Sequence, residues 1–155
     1  MAITRDSVRA EVEIDAPIER VWRILSDVEH YADWNPFTPH VETSLQIGDP
    51  IRLDVRLLGT RLVRRVEYVT RNQPYTLGWE MKMGARMLLY AERIQMLTPV
   101  DDRRTHYLTE DRFRGALRPL VLGLLGSAME RGFLDCALGL KKAAEIGQAQ
   151  EKLVP

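Results

Sequence analysis

The sequence has little of the chemistry that metal sites and disulfide frameworks require. It contains one cysteine, Cys136, and three histidines that lie far apart, His30, His40 and His106. A single cysteine cannot form an internal disulfide, which is typical of proteins in a reducing compartment. No H-E-x-x-H, C-x-x-C or G-x-S-x-G motif occurs, and no glycine-rich phosphate loop. We therefore expect no metal, no cofactor and a cytoplasmic location.

Long apolar runs are also missing. The longest extends from Leu120 to Met129 and is interrupted by Gly123, Gly126 and Ser127. A membrane helix needs roughly 20 apolar residues. The first ten residues contain no apolar segment typical of a signal peptide. We expect neither export nor stable membrane insertion.

The chain has no net charge, with 22 basic and 22 acidic residues among 155. This balance argues against nucleic acid as a partner. The charge is unevenly distributed, however: residues 1–50 carry a net −6 and residues 51–118 a net +6. Two interpretations stay open, namely a solvated sheet face and a surface that meets an acidic partner.

The first 36 residues predict a strand followed by two short helices. Apolar and polar residues alternate over Ser7–Asp15, as in a half-buried strand. Apolar residues at helical spacing follow in Ile18–Leu25, and Asp15 is positioned to cap that helix. A second short helix is expected over Val28–Asp33, and Pro36 ends it.

The middle of the chain predicts six strands joined by short turns. One of these turns includes residues 99–102, between the last two strands. Regular strand spacing of this kind favours an antiparallel meander. The six strands are Val41–Leu45, Ile51–Leu57, Arg61–Arg71, Tyr75–Met81, Met87–Leu97 and Thr105–Phe113.

The last third predicts one long helix over Ala116–Ile146, and the polar tail 147–155 is expected to be frayed. The apolar stripe of this helix includes Met129, Phe133, Cys136, Ala137, Leu140 and Ala144. The fold class is therefore α+β. A seven-stranded, curved antiparallel sheet wraps around the C-terminal helix in a single domain spanning residues 1–155, with its core at about 8–145. Because one helix cannot fill the whole concave face, we expect a ligand cavity between them.

Three segments resemble a known superfamily. They are the D-A-P-x-x-x-V-W segment at 15–22, Trp34-Asn35-Pro36, and the G-F-x6-L-K-K pattern at 132–142. They are similar to the START-like, Bet v 1-like (SRPBCC) superfamily, in its bacterial polyketide cyclase/dehydrase and lipid-transport branch. The resemblance covers residues 8–145 and implies a helix-grip fold with an internal apolar cavity. The fold hosts carriers, cyclases and co-chaperones, so it does not fix the function.

Strand alternation and the helix face predict the residues that would bind a ligand. Leu53, Val55, Trp79, Tyr107 and Phe113 should face the C-terminal helix, with Asp54 exposed between its neighbours. For Trp34 and Trp79, core packing and a place in the cavity wall both stay open. Cys136 is expected to be a buried small residue rather than a nucleophile. The full predicted set is Trp34, Phe37, Leu53, Val55, Trp79, Tyr90, Tyr107, Thr109, Phe113, Val121, Leu124, Leu125 and Met129.

Glu92 and Asp111 are the candidate catalytic groups. If Tyr90, Ile94 and Met96 face inward, Glu92 does too, and Asp111 follows Tyr107 in the same way. Buried carboxyls could act as acid or base. The opposite strand face could point inward instead, or a bulge could change the assignment. A structural ion pair with an arginine is the third interpretation.

Three functions compete. A binder of a small hydrophobic or amphipathic molecule, such as a lipid, sterol-like compound or aromatic polyketide, should enclose a cavity of roughly a few hundred Å3. A cyclase or dehydratase should show convergent polar groups at the cavity, drawn from Glu92, Asp111, Tyr90 and Tyr107. A co-chaperone-like interaction module should have a filled core and a contiguous basic surface.

The leucine-rich segment Leu117–Met129 is apolar around more than half of the helix. An exposed patch, a contact with a second copy of the chain, and a lid at the cavity mouth are the three possible outcomes. We expect a gate that also contacts a second chain or a membrane surface. Gly123 and Gly126 would weaken the helix there, or would let it approach the sheet.

Overall fold

The computed structural model describes the backbone of residues 2–3, 6–84 and 87–151, and the side chains of 6–84 and 87–147. The helices are α1 (Ile18–Ser26), a 3-10 helix (Val28–Asp33) and α2 (Arg118–Glu151). The strands are β1 (Ala2–Ile3), β2 (Ser7–Ile14), β3 (His40–Glu42), β4 (Pro50–Leu58), β5 (Arg61–Gln73), β6 (Thr76–Met83), β7 (Leu89–Asp101) and β8 (Arg104–Arg114).

All described strands belong to one antiparallel sheet in the order β1-β2-β8-β7-β6-β5-β4-β3. The seven predicted strands are present, and the two-residue β1 extends the edge beside β2. The curved sheet closes around α2, so the expected α+β helix-grip fold is confirmed. None of the helices in the described part of the chain is long and apolar enough to cross a membrane.

The buried face of α2 follows the predicted stripe and packs against the concave side of the sheet. The stripe consists of Met129, Phe133, Cys136, Ala137, Leu140 and Ala144. Burial of these apolar side chains is the main force that holds α2 in the sheet. The helix continues to Glu151, beyond Gly147 where fraying was expected, and residues 152–155 lie outside the described residues.

Two glycines bring α2 close to the segment that follows the 3-10 helix. A Cβ on Gly139 would collide with the carbonyl oxygen of Trp34, and one on Gly132 would overlap the ring of Phe37. The expectation that Gly123 allows a close approach is wrong, because nothing lies within 4 Å of its added Cβ. The close contacts therefore occur further along the helix than the leucine-rich segment.

The start of α1 also differs from the prediction. Pro17 occupies the N-cap position and no side chain caps the helix. Asp15 instead donates its backbone N–H to Glu145 Oε1 at 2.8 Å. This bond ties the end of β2 to the last part of α2.

The strand alternation of β4 is confirmed with one difference. Leu53 and Val55 are buried as predicted. Asp54 is half-buried rather than exposed, because the guanidinium of Arg64 lies over its carboxylate with two hydrogen bonds of 2.8 and 2.9 Å. The alternation continues to Leu58, with Leu57 half-buried between exposed neighbours, although the pairing with β5 shifts register between Val55 and Leu58.

Candidate functional site

A small cavity lies between the middle of the sheet and α2. Its volume is about 20 Å3, enough for about one water molecule. This is far below the few hundred Å3 that a preformed binding cavity was expected to have. Its walls combine apolar and charged side chains: Phe37, Leu53, Val55, Leu57, Arg65, Glu67, Trp79, Arg93, Asp111, Met129 and Phe133.

Arg93 is the central charged group of this site. It lies on β7, and only 6% of it is exposed. Its guanidinium carbon lies 4.4 Å from the centre of the Phe133 ring, 5.7 Å from that of Trp79 and 5.8 Å from that of Phe37. Nε donates to Thr109 Oγ1 at 3.2 Å, and Nη2 contacts Cys136 Sγ at 3.7 Å. Aromatic faces and two weak acceptors therefore surround a permanent cation.

Asp111 lies directly opposite Arg93 in the pairing of β8 with β7. The residue is 8% exposed, and its Oδ1 has no hydrogen-bond partner among the described residues. Burial, and next the nearby carboxylate of Glu67, raise the pKa of Asp111 to about 7. Near neutral pH this carboxyl can therefore either donate or accept a proton.

Glu67 on β5 is the second buried carboxyl of the site. Burial raises its pKa, while Arg65, whose Nη2 lies 3.1 Å from Glu67 Oε1, acts in the opposite direction. The site thus holds two carboxyls and two guanidiniums along the concave face. These four polar groups converge on one small cavity. Such convergence is more typical of an enzyme site than of a purely apolar binding pocket.

A second group of polar side chains lies further along β7 and β8. The hydroxyl of Tyr107 donates to Gln95 Oε1 at 2.6 Å and lies 3.7 Å from Cys136 Sγ. Burial raises the pKa of Tyr107 and that of the Cys136 thiol, so both stay protonated at neutral pH. Cys136 is buried as predicted, and a protonated thiol is a poor nucleophile.

The structure brings many of the predicted ligand-binding residues together. Phe37, Leu53, Val55, Trp79 and Met129 line the cavity. Tyr107, Thr109 and Phe113 are buried on the same face of the sheet without lining it. Trp34 packs its ring 4.8 Å from that of Tyr31, and it lines an outer groove of about 680 Å3 between the 3-10 helix and α2.

Three predicted positions are wrong. Tyr90 and Glu92 alternate with the buried residues of β7 and lie on the convex face, where Arg71 Nε is 3.4 Å from Glu92 Oε1. Leu124 is 72% exposed because it lies on the outer side of α2. Its neighbours Val121 and Leu125 are half-buried and do not line the cavity.

Sequence reasoning missed Arg65, Glu67, Arg93 and Phe133. The inward residues of β7 are Leu89, Ala91, Arg93, Gln95 and Leu97, the opposite set from the one predicted. Residues directly opposite each other in an antiparallel pair share a face, and Leu97 lies opposite Tyr107. The sequence alone does not reveal this pairing, because a register shift between Pro99 and Asp101 sets it.

Several arginines of the convex face are paired with acids. Ion pairs join Arg64 to Asp54, Arg71 to Glu92, Arg104 to Asp101 and Arg112 to Glu110. These pairs support the interpretation of a solvated sheet face. No group of three metal-ligating side chains occurs among the described residues.

Comparisons with known proteins agree with this fold. A solved aromatase/cyclase, ZhuI of Streptomyces sp. R1128, has a TM-score of 0.73 and 21% identity, covering 90% of this chain and 93% of that one. A START superfamily protein of Mycobacterium smegmatis has a TM-score of 0.68 and 21% identity, covering 90% of this chain and 97% of that one. A protein of Thermus thermophilus has a TM-score of 0.70 and 20% identity, covering 91% of this chain and 98% of that one. At these identities the likeness shows the fold alone.

No curated protein matches the sequence closely enough to identify a relative. The sequence of residues 5–145, however, matches the family described as polyketide cyclase / dehydrase and lipid transport. The match covers nearly the whole chain and agrees with the helix-grip fold. The chain therefore belongs to the polyketide cyclase / dehydrase and lipid transport family.

Proposed function

We propose that the chain binds a small amphipathic molecule between the concave face of the sheet and α2. A polar oxygen of the ligand lies at Arg93 and Asp111, and its apolar part lies against the aromatic and aliphatic walls of the site. The observation that carries this proposal is the burial of Arg93 among three aromatic rings without a carboxylate bound to it among the described residues.

The burial of Arg93 is hard to explain as packing alone. Taking a guanidinium out of water costs several kcal/mol unless ionic partners and hydrogen bonds compensate. A guanidinium has five N–H donors, and the described residues accept two of them, Thr109 at 3.2 Å and Cys136 at 3.7 Å. An oxygen-bearing ligand would supply the missing acceptors.

The unpartnered Oδ1 of Asp111 supports the same position for the ligand's oxygen. It borders the cavity beside Arg93, so a ligand hydroxyl could accept a hydrogen bond from Arg93 and donate one to Asp111. A carbonyl oxygen could accept from Arg93 and from Asp111 when this carboxyl is protonated. A ligand larger than water must displace side chains from the cavity of about 20 Å3. Met129 in the wall has a flexible, polarizable side chain that can adapt to such a ligand.

The family description and the ZhuI name support this class of ligand. Lipids and aromatic polyketides are both largely apolar molecules with a few oxygen atoms. The sterol-like, lipid and polyketide alternatives differ in shape, and all fit the proposed arrangement of one polar end and apolar walls.

Proton transfer is the second candidate function, and the raised pKa of Asp111 favours it. A carboxylate with a pKa of about 7 could remove a proton from the carbon between two carbonyl groups, and Arg93 would stabilise the enolate formed. The test is hydrogen–deuterium exchange at the central carbon of acetoacetanilide in D2O, followed by NMR. Acceleration by the wild type but not by Asp111→Asn would support cyclase-type chemistry, and equal rates would contradict it.

Native mass spectrometry and a 2-naphthol titration test the binding proposal. The variants are Arg93→Met and, as a control, Arg23→Met on the exposed side of α1. We expect the wild type and the control to bind 2-naphthol and to retain any co-purifying small molecule. Arg93→Met should bind 2-naphthol about tenfold or more weakly, because a hydrogen bond from a charged donor is lost. No binding by the wild type, or equal affinity in Arg93→Met, would contradict the proposal.

A further inference from the structure

A second groove, distinct from the one beside Trp34, adjoins the buried cavity. It has a volume of about 390 Å3 and lies between α2 and the turn that joins β4 to β5. Its lining consists of Pro36, Phe37, Arg56, Leu57, Gly59, Ala128, Arg131, Gly132 and Asp135. Phe37 and Leu57 also line the buried cavity. These two side chains are therefore the partition between the groove and the candidate site.

The charges of this groove differ from those of the convex face. Arg56 and Arg131 are exposed, and neither forms an ion pair with another described residue. Asp135 is the single carboxylate in the lining. On the convex face several arginines are matched by neighbouring acids, whereas Arg52 and Arg114 are exposed and form no ion pair among the described residues. The groove is thus a concave surface whose lining carries two exposed guanidiniums and one carboxylate.

The position of Phe37 suggests how the two spaces connect. Its carbonyl oxygen accepts a hydrogen bond from the backbone N–H of Arg56 at 2.8 Å, which fixes its backbone to β4. Its ring packs edge to face on Phe133 with centres 5.6 Å apart, and it occupies the space that a side chain on Gly132 would fill. Displacement of the Phe37 and Leu57 side chains would therefore join the groove to the cavity.

We propose that the groove is an outer subsite for an anionic group, and that the ligand is an amphipathic anion. Its carboxylate, sulfonate or phosphate contacts Arg56 and Arg131, and its largely apolar body passes Phe37 into the interior, where its polar oxygen reaches Arg93. Guanidinium groups bind such oxyanions through paired hydrogen bonds. This inference rests on the proposed function, because it assumes that the apolar body enters the interior.

Two fluorescent probes with the same ring system separate the two subsites. N-phenyl-1-naphthylamine is neutral, and 1-anilinonaphthalene-8-sulfonate adds one sulfonate. The variant is Arg56→Gln/Arg131→Gln. Its control is Arg23→Gln/Arg103→Gln, which removes the same charge at exposed positions outside the groove. We expect the groove variant to bind the sulfonate at least tenfold more weakly and the neutral probe unchanged, while the control binds both as the wild type does.

The outcomes distinguish the two proposals. If neither the neutral probe nor 2-naphthol binds the wild type, the interior does not accept an aromatic ring and the proposed function fails. If either binds but the groove variant and its control have equal affinity for the sulfonate, the outer subsite is wrong. Competition provides the last check: the two probes should displace each other, and simultaneous binding would show that groove and cavity are separate sites.

Discussion

The guanidinium carbon of Arg93 lies 4.4 Å from the centre of the Phe133 ring. A desolvated contact of this kind stabilises the folded state by about 2 kcal/mol or more. Removal of the guanidinium from water costs several kcal/mol. The aromatic rings therefore hold Arg93 in position without fully offsetting its burial. Part of the desolvation free energy of Arg93 therefore remains uncompensated in the folded protein. Such a cost is consistent with a binding group that the fold positions in advance for its ligand.

Arg93→Met should leave the protein folded and unchanged in stability, or more stable. Methionine fills much of the same volume, and the substitution removes the cost of several kcal/mol of burying a guanidinium that no carboxylate binds among the described residues. Urea unfolding followed by circular dichroism measures the free energy of unfolding. A loss of more than about 2 kcal/mol would show that Arg93 is a structural residue, and it would remove the main argument for the site.

The stability of the wild type should fall as the pH rises toward neutrality. Asp111 has a pKa of about 7 in the folded protein, against 3.8 as its ordinary value. Between these values the folded state binds more protons than the unfolded state, so the free energy of unfolding decreases with rising pH. The slope attributable to Asp111 is at most about 1.4 kcal/mol per pH unit and disappears above pH 7. Asp111→Asn should flatten this part of the stability profile.

Asp54→Asn is the matched control for the pH profile. Arg64 lowers the pKa of Asp54 through hydrogen bonds and charge. A lowered pKa changes the free energy of unfolding in the opposite direction with pH. The stabilisation is present above the pKa of the unfolded state and is lost as the pH falls through the pKa of the folded state. Asp54→Asn should therefore change the profile only on the acidic side. If Asp111→Asn has the same slope as the wild type between pH 4 and 7, the Asp111 carboxyl is not the titrating group.

One register shift explains why the sequence misassigned the faces of β7. A tight turn that continued the pairing of Asp101 with Arg104 would place Ile94 opposite Asp111 and Glu92 opposite Phe113. The structure has a bulge between Pro99 and Asp101, beyond which Arg93 lies opposite Asp111. An extra residue in one strand exchanges its inward and outward faces. Because both faces of β7 carry apolar residues, alternation alone could not reveal the bulge.

On β4 and α2 the local pattern of apolar and polar residues was sufficient to predict the buried face. On β4, Leu53 and Val55 alternate with charged residues, so only one face could be buried. On α2 the stripe around Phe133 was clear for the same reason. Charged side chains gave the opposite expectation at Arg93 and Glu67, because long charged residues are seldom buried. The charged residues of the site were therefore the hardest to predict. They are buried, whereas the apolar residues of the site were identified by the rule that apolar side chains are buried and charged ones exposed.

Two glycine-to-alanine substitutions on α2 should have opposite effects on stability. A Cβ at Gly139 would collide with the Trp34 carbonyl oxygen, and Pro36 is also close, so Gly139→Ala should destabilise the fold by about 1–3 kcal/mol. Gly123 has nothing within 4 Å, so Gly123→Ala should stabilise the helix by up to about 1 kcal/mol. Thermal and urea unfolding measure both. Equal effects in the two variants would contradict the close approach of α2 at Gly139.

Tyr107→Phe should destabilise the protein by about 1–3 kcal/mol, although it removes a single oxygen. Its hydroxyl donates to Gln95 Oε1 at 2.6 Å, and Gln95 Nε2 has no partner among the described residues. The variant would leave a buried amide without that bond. The double variant Tyr107→Phe/Gln95→Leu removes both partners, so it should recover much of the loss. Urea unfolding of both single variants and the double variant gives the coupling energy, and purely additive losses would show that the bond contributes nothing to stability.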